Sequence, residues 1–159
     1  MNNKSFTLKF TCNATNKGSM RNDIDVSFES MNETFKLATD EGAFHGGKGT
    51  APPPLALFTA SLCGCIMTQI KAFGKKLKIE VNEIEIHASM EWQGEVLEEG
   101  PYKASCDGYN LDIDIISEEP IERKKKLLEA AINGCFIEVS LKPGIVKHRL
   151  KDKENWLSV

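Results

Sequence analysis

The sequence lacks the patterns that mark several common protein classes. Its 159 residues include three histidines, which have no ligand spacing among themselves or with the cysteines, so no zinc site is predicted. Neither G-x-x-x-x-G-K-[ST] nor G-x-G-x-x-G occurs, and no serine stands in a nucleophile elbow. Nucleotide binding and serine hydrolysis therefore have no motif support, and we expect neither a metal nor a bound cofactor.

The sequence also lacks a strongly basic region. The net charge is −3, and the run Lys124-Lys125-Lys126 lies beside Glu122 and Glu129. Such a mixed run is typical of a solvated helix face rather than of a phosphate-binding patch. We therefore expect no nucleic-acid partner.

No export signal is visible near the start of the chain. The first ten residues alternate between polar and apolar types and include no apolar segment of signal-peptide length. The five cysteines are an odd number, which disfavours a disulfide scaffold. We expect a cytoplasmic protein in which any disulfide is transient and catalytic.

Charge is also missing from residues 51–70, a stretch about as long as a membrane span. The stretch opens with three prolines, however, and carries polar side chains at Thr59, Ser61, Thr68 and Gln69. A helix that is apolar on most sides can equally be the buried centre of a protein or of a dimer. We predict the buried helix, with no membrane contact.

Hydrophobic periodicity predicts the elements on either side of this helix. Strands are expected over residues 5–12, 24–28 and 35–37, with a glycine-rich loop at 40–50. The helix should end near Phe73 because Gly74 and two lysines follow.

Further strands are expected at residues 84–92 and 111–115. A second helix with Ser117 as its N-cap and a last strand at 145–150 should follow. This order is α+β, in a single domain spanning residues 1–159.

Cysteines occur in both predicted helices. Cys65 lies in the uncharged helix, and Cys135 ends the second one. Cysteines in such positions are often core residues, but these two can also meet as a reactive thiol and its partner. Cys63 is two residues from Cys65 and must point to a different helix face.

The sequence around each of the two cysteines resembles a known family. The run GGKGTAPPPLALFTASLCGC, which ends at Cys65 and continues to Met67 and Thr68, is similar to the entrance of the central helix of OsmC/Ohr proteins. The run AINGCFIEVSL around Cys135 resembles the cysteine at the end of a later helix in the same family. The resemblance implies antiparallel sheets wrapped around a long central helix, in an intertwined homodimer.

The resemblance also implies a chemistry, because many members reduce organic hydroperoxides or hydrogen peroxide. Cys65 would be the peroxidatic thiol that becomes a sulfenic acid, and Cys135 the resolving thiol. Arg21, in the turn after the first strand, would lower the thiol pKa and hold the thiolate. The small-molecule hydroperoxide would have an apolar tail, and an external dithiol would restore the enzyme.

The sequence departs from the family pattern at one charged position. Peroxidase members have a glutamate before the reactive cysteine that positions the arginine, whereas this chain has Leu55 and Ala56 there. Glu41, in the glycine-rich loop, is the candidate replacement. Two alternatives to a peroxidase stay open: a protein that binds a small hydrophobic ligand in the dimer pocket, and a redox sensor.

Overall fold

The computed structural model, which describes residues 5–159, has an α+β fold. Its first sheet contains β1 (Phe10–Asn16), β2 (Asn22–Phe28) and β3 (Glu33–Thr39), paired antiparallel in that order. The first strand therefore starts later than predicted. Phe10 pairs with Phe28 at the end of β2, so the residues before Phe10 have no position opposite them in that strand.

The second sheet has the order β4 (Glu83–Glu95), β5 (Lys103–Ile116), β6 (Val146–Asp152) and β7 (Asn155–Ser158). β5 and β6 pair in parallel, while the other pairs are antiparallel. A parallel pair needs a long crossover, and helix α2 (Ile121–Gly134) supplies it. The short strand β7 was not predicted.

Helix α1 (Pro54–Leu77) is longer than predicted, since it runs through Gly74. The helix instead stops at Lys78, which has a left-handed φ of 53°, and the Ile79 N–H donates to the Gly74 carbonyl over 2.9 Å. That is the bonding of a helix C-terminus closed by a left-handed residue. Gly74 serves packing: a Cβ there would lie 3.1 Å from the Ile79 carbonyl oxygen.

The predicted N-cap of the second helix is wrong. α2 begins after Pro120, three residues beyond Ser117. The Ser117 hydroxyl donates to the Glu80 carbonyl and accepts the Glu119 N–H at 3.2 Å. Because a residue that precedes proline disfavours helical backbone angles, Glu119 cannot easily join the helix.

The chain divides into two compact units, and the boundary between Phe58 and Thr59 lies inside α1. The first unit contains β1, β2, β3 and the glycine-rich loop. In the second, alternate residues of β5 and stripes of both helices form the core: Leu62, Ile66, Ile70, Leu111, Ile113, Ile115, Leu127, Leu128 and Ala131. The single domain over residues 1–159 stays a prediction.

Much of α1 is not covered by its own chain. By length and composition this helix could cross a membrane, and only 17% of its most apolar 18 residues are buried. The buried residues recur every four positions, at Leu62, Ile66 and Ile70, so one stripe packs inward while the other sides are half-buried or exposed.

Candidate thiol site

α1 presents a half-buried stripe beside its buried one. Cys65, Gln69 and Phe73 are four residues apart, so their side chains lie above one another on the same face. The end of α2 packs against this stripe. A Cβ on Gly134 would come within 2.5 Å of Phe73 Cε2 and 3.6 Å of Gln69 Oε1. The missing side chain of Gly134 thus permits the close approach that carries Cys135 to α1.

Cys65 and Cys135 meet at this contact. Both are free thiols; Cys135 is fully buried, whereas Cys65 is half-buried. Burial, followed by a hydrogen bond with the Cys65 thiol, raises the pKa of Cys135 to about 12. Cys135 therefore carries its proton at neutral pH, next to a thiol that solvent partly reaches.

The chain after Cys135 folds back over its sulfur. The N–H of Glu138 donates to Cys135 Sγ over 3.5 Å, and the N–H of Ile137 also favours a negative sulfur. The Glu138 side chain in turn pairs with the buried His148 of β6, with 3.1 Å between Oε2 and Nε2.

Arg21 and Glu41, the two charged candidates, lie in the first unit and have different partners there. Arg21 Nη1 donates to the Thr50 hydroxyl over 3.0 Å, and Arg21 Nε bonds Asp23 at 3.0 Å. Glu41 instead lies 3.4 Å from His45 Nδ1. The role of Glu41 as the partner of Arg21 stays a prediction.

Thr50 links Arg21 to a buried carboxylate. Asp40 is 2% exposed and accepts both the N–H of Thr50 and its hydroxyl, over 2.9 and 2.7 Å. These bonds, the backbone one first, lower the pKa of Asp40 below its ordinary value. The charged Asp40 thereby fixes Thr50, and Thr50 fixes the guanidinium.

Cys63 does not share the site, as its spacing predicts. It is half-buried on another side of α1, and burial raises its pKa. Over residues 5–159, no three His, Cys, Asp or Glu side chains come together in a way that could hold a metal ion.

Four residues that contact the candidate site residues or their partners were not predicted from the sequence: Asp40, Thr50, Glu138 and His148. A signal existed for one of them. His148 alternates with Leu150 on the buried phase of β6, and a histidine in such a phase needs a polar partner inside the fold. The other three are brought to their sites by loops, whose course periodicity does not predict.

Comparisons with known proteins agree with this architecture. A family model described as OsmC-like protein matches residues 47–149. An OsmC-like hydroperoxide resistance protein from Jannaschia sp. CCS1 is 41% identical, with 96% of this chain and 98% of that chain covered and a TM-score of 0.54. A comparison with curated protein sequences gave no match.

Two more distant structures share the fold. An organic hydroperoxide resistance protein OsmC from Legionella pneumophila is 19% identical, with 92% of this chain and 97% of that chain covered and a TM-score of 0.65. The organic hydroperoxide resistance protein OhrB of Bacillus subtilis is 22% identical, with 92% and 98% covered and a TM-score of 0.53. At these identities the likeness concerns the fold alone.

Proposed function

Since the chain belongs to the OsmC-like family, we propose that it reduces organic hydroperoxides with Cys65 and Cys135. A peroxide-related role is supported at the level of the family, because the 41% identical relative is named a hydroperoxide resistance protein. The contact between the two thiols is the observation that carries the finer proposal.

The proposed reaction has two steps on this chain. The Cys65 thiolate attacks a peroxide oxygen; the S–O bond forms, the O–O bond breaks, and the alkoxide takes a proton and leaves as an alcohol. Cys65 is then a sulfenic acid. The Cys135 sulfur attacks the Cys65 sulfur, and hydroxide leaves with the Cys135 proton as water. An external dithiol reduces the resulting disulfide.

Exposure and protonation support this division of roles. Cys65 is half-buried and accessible to a small molecule, whereas Cys135 is fully buried and has a raised pKa. A buried, protonated thiol is a poor first nucleophile. Cys135 should therefore stay reduced beside Cys65 and react only after the sulfenic acid has formed there.

Two further parts of the proposal concern the surroundings of the thiols. Arg21, held by Thr50 and Asp23, is proposed to stabilise the Cys65 thiolate. A second copy of the chain is proposed to cover the accessible sides of α1 in a homodimer, whose apolar surface would take the tail of the hydroperoxide. We also propose a cytoplasmic protein, where cellular dithiols are available.

The test is thiol mapping by intact mass before and after one equivalent of cumene hydroperoxide. The reduced protein should lose two hydrogens and gain a Cys65–Cys135 disulfide. Cys65→Ser should abolish the reaction, and Cys135→Ser should stop at a Cys65 sulfenic acid. Cys63→Ser is the matched control, since it removes a half-buried thiol from the same helix and should leave the disulfide unchanged.

Two other results would replace this function with an alternative. Thiols that stay reduced, together with a copurified apolar molecule in the mass spectrum, would indicate a binding protein with incidental cysteines. Oxidation that is slow and changes the association state of the protein would indicate a redox sensor. Full peroxidase activity of Cys65→Ser would overturn the proposal outright.

A further inference from the structure

The buried pair Glu138–His148 lies directly beyond the resolving cysteine. The side chain of His148 is 5% exposed and that of Glu138 is 14% exposed, with Nε2 and Oε2 3.1 Å apart. Ionisable side chains are seldom buried unless they are paired, and these two are paired with each other. Nothing in the proposed two-thiol reaction uses either of them as a reactant.

The pair is connected to Cys135 by a short turn, residues 135–141, called here the Cys135 turn. Its own bonds include Val139 N–H to the Cys135 carbonyl over 3.0 Å and the Ser140 hydroxyl to the Phe136 carbonyl over 2.7 Å. Through Glu138 the same turn donates an N–H to Cys135 Sγ. The position of that N–H therefore depends on how firmly the turn is held.

His148 supplies a rigid anchor for the turn. It stands in β6, opposite Leu111 of β5 in the parallel ladder, and its carbonyl accepts the Val159 N–H at 3.1 Å. The charged carboxylate of Glu138 makes its bond with the imidazole stronger than a neutral one. The sheet thus fixes Glu138, and Glu138 fixes the donor at the sulfur.

We propose that Glu138 and His148 are positioning residues for the resolving step. They hold the Cys135 turn so that the Cys135 sulfur faces Cys65 and receives the backbone N–H as it attacks. This inference rests on the proposed function for its catalytic consequence. The pair should also raise the effective concentration of one thiol beside the other, and this effect does not depend on peroxide.

The first test separates the two chemical steps in a single turnover with cumene hydroperoxide. His148→Phe keeps a ring but removes the donor to Glu138. The rate of disulfide formation from the sulfenic acid should fall about tenfold, while formation of the sulfenic acid stays within twofold. His148→Gln, whose amide can donate to Glu138, should restore most of the rate. A purely structural role would slow both steps together and would overturn the inference.

The second test uses no peroxide. Equilibration with dithiothreitol redox buffers gives the equilibrium constant of the Cys65–Cys135 disulfide, which should fall about tenfold in His148→Phe, or ~30 mV. Lys151→Gln is the matched control, since Lys151 lies on the same strand as His148 and the change breaks its 2.8 Å ion pair with Asp114 of β5. It should leave the constant unchanged.

The two tests fail in distinguishable ways. If wild-type Cys65 forms no sulfenic acid, the peroxidase proposal fails and the redox equilibrium alone decides the inference. If His148→Phe does not fold, Glu138→Gln replaces it, because it keeps the side-chain volume and weakens the bond to His148. A folded Glu138→Gln or His148→Phe with a wild-type equilibrium constant overturns the inference.

Discussion

The ring of Phe73 occupies the space where Gly134 would carry a side chain. A Cβ at Gly134 would lie 2.5 Å from Phe73 Cε2 and 2.6 Å from Cζ, distances that packed carbon atoms do not reach. α2 therefore ends against α1 only because residue 134 is glycine. Cys135 is the next residue, so this contact sets how near the two thiols come.

Gly134→Ala should accordingly push the end of α2 away from α1. Overpacking of this kind costs about 1–3 kcal/mol in the free energy of unfolding, which urea denaturation measures. The same shift should slow formation of the Cys65–Cys135 disulfide. Asn133→Ala, at the exposed neighbouring position, should change stability by no more than about 0.5 kcal/mol. Equal stabilities of the two variants would show that the ring moves aside without cost.

Arg21→Met tests whether the guanidinium acts on Cys65. Arg21 is partly exposed and forms hydrogen bonds with Thr50 and Asp23, so replacing its side chain should change stability little. If it stabilises the thiolate and the developing alkoxide, the rate with cumene hydroperoxide should fall about 100-fold. Lys17→Met removes a cation from the same hairpin turn and should keep the rate. A rate within threefold of wild type would remove Arg21 from the site.

Thr50→Val tests how much the position of Arg21 contributes to the peroxide rate, because the variant keeps the charge of the guanidinium. The variant keeps the side-chain shape but loses the hydroxyl that joins Arg21 to Asp40. Because a hydrogen bond to a charged group is lost, stability should fall. The peroxide rate should fall by less than in Arg21→Met, because the guanidinium remains. A larger fall would mean that Thr50 itself contacts the reacting atoms.

The sequence predicted those features that depend on local periodicity, and it failed where tertiary contacts decide. The alternating strands β2, β3 and β4 and the long apolar helix appear as expected. Gly74 was interpreted as a helix stop, yet its small size serves packing against Ile79. The link between Glu138 and His148 joins a turn to a strand ten residues later, which no helical or strand period indicates.

The site divides in the same way. The meeting of Cys65 and Cys135 was anticipated because each cysteine lies in a helical context that a small domain must pack together. The bond of Arg21 to Thr50 was not, because Thr50, which Asp40 holds, reaches Arg21 from a glycine-rich loop. Gly47 shapes that loop: a Cβ there would overlap the Glu41 carbonyl. Loop closures of this kind depend on backbone geometry that composition alone does not reveal.

The accessible side of α1 provides a test of the homodimer. Ala60, Gly64 and Thr68 recur at four-residue spacing on an exposed stripe, and all three are small. Small residues let two helices approach closely. Light scattering should give twice the 17.7 kDa of the chain. Ala60→Glu should lower this value, because a charge in the contact would lose its hydration. Lys126→Glu, on an exposed position of α2, should stay dimeric. A wild-type monomer would contradict the proposed assembly.

The raised pKa of Cys135 predicts a loss of stability in alkaline solution. The folded state holds the Cys135 proton up to about pH 12, whereas an ordinary thiol loses it near 9.0. Between these values the unfolded chain binds fewer protons than the folded one, so stability falls as pH rises. The contribution is complete below pH 9 and declines progressively above it. Urea midpoints under a phosphine reductant, measured from pH 8 to 10.5, should fall more steeply in wild type than in Cys135→Ala. Parallel curves would mean that the buried thiol ionises without cost, and protonation would then no longer explain why Cys135 is a poor first nucleophile.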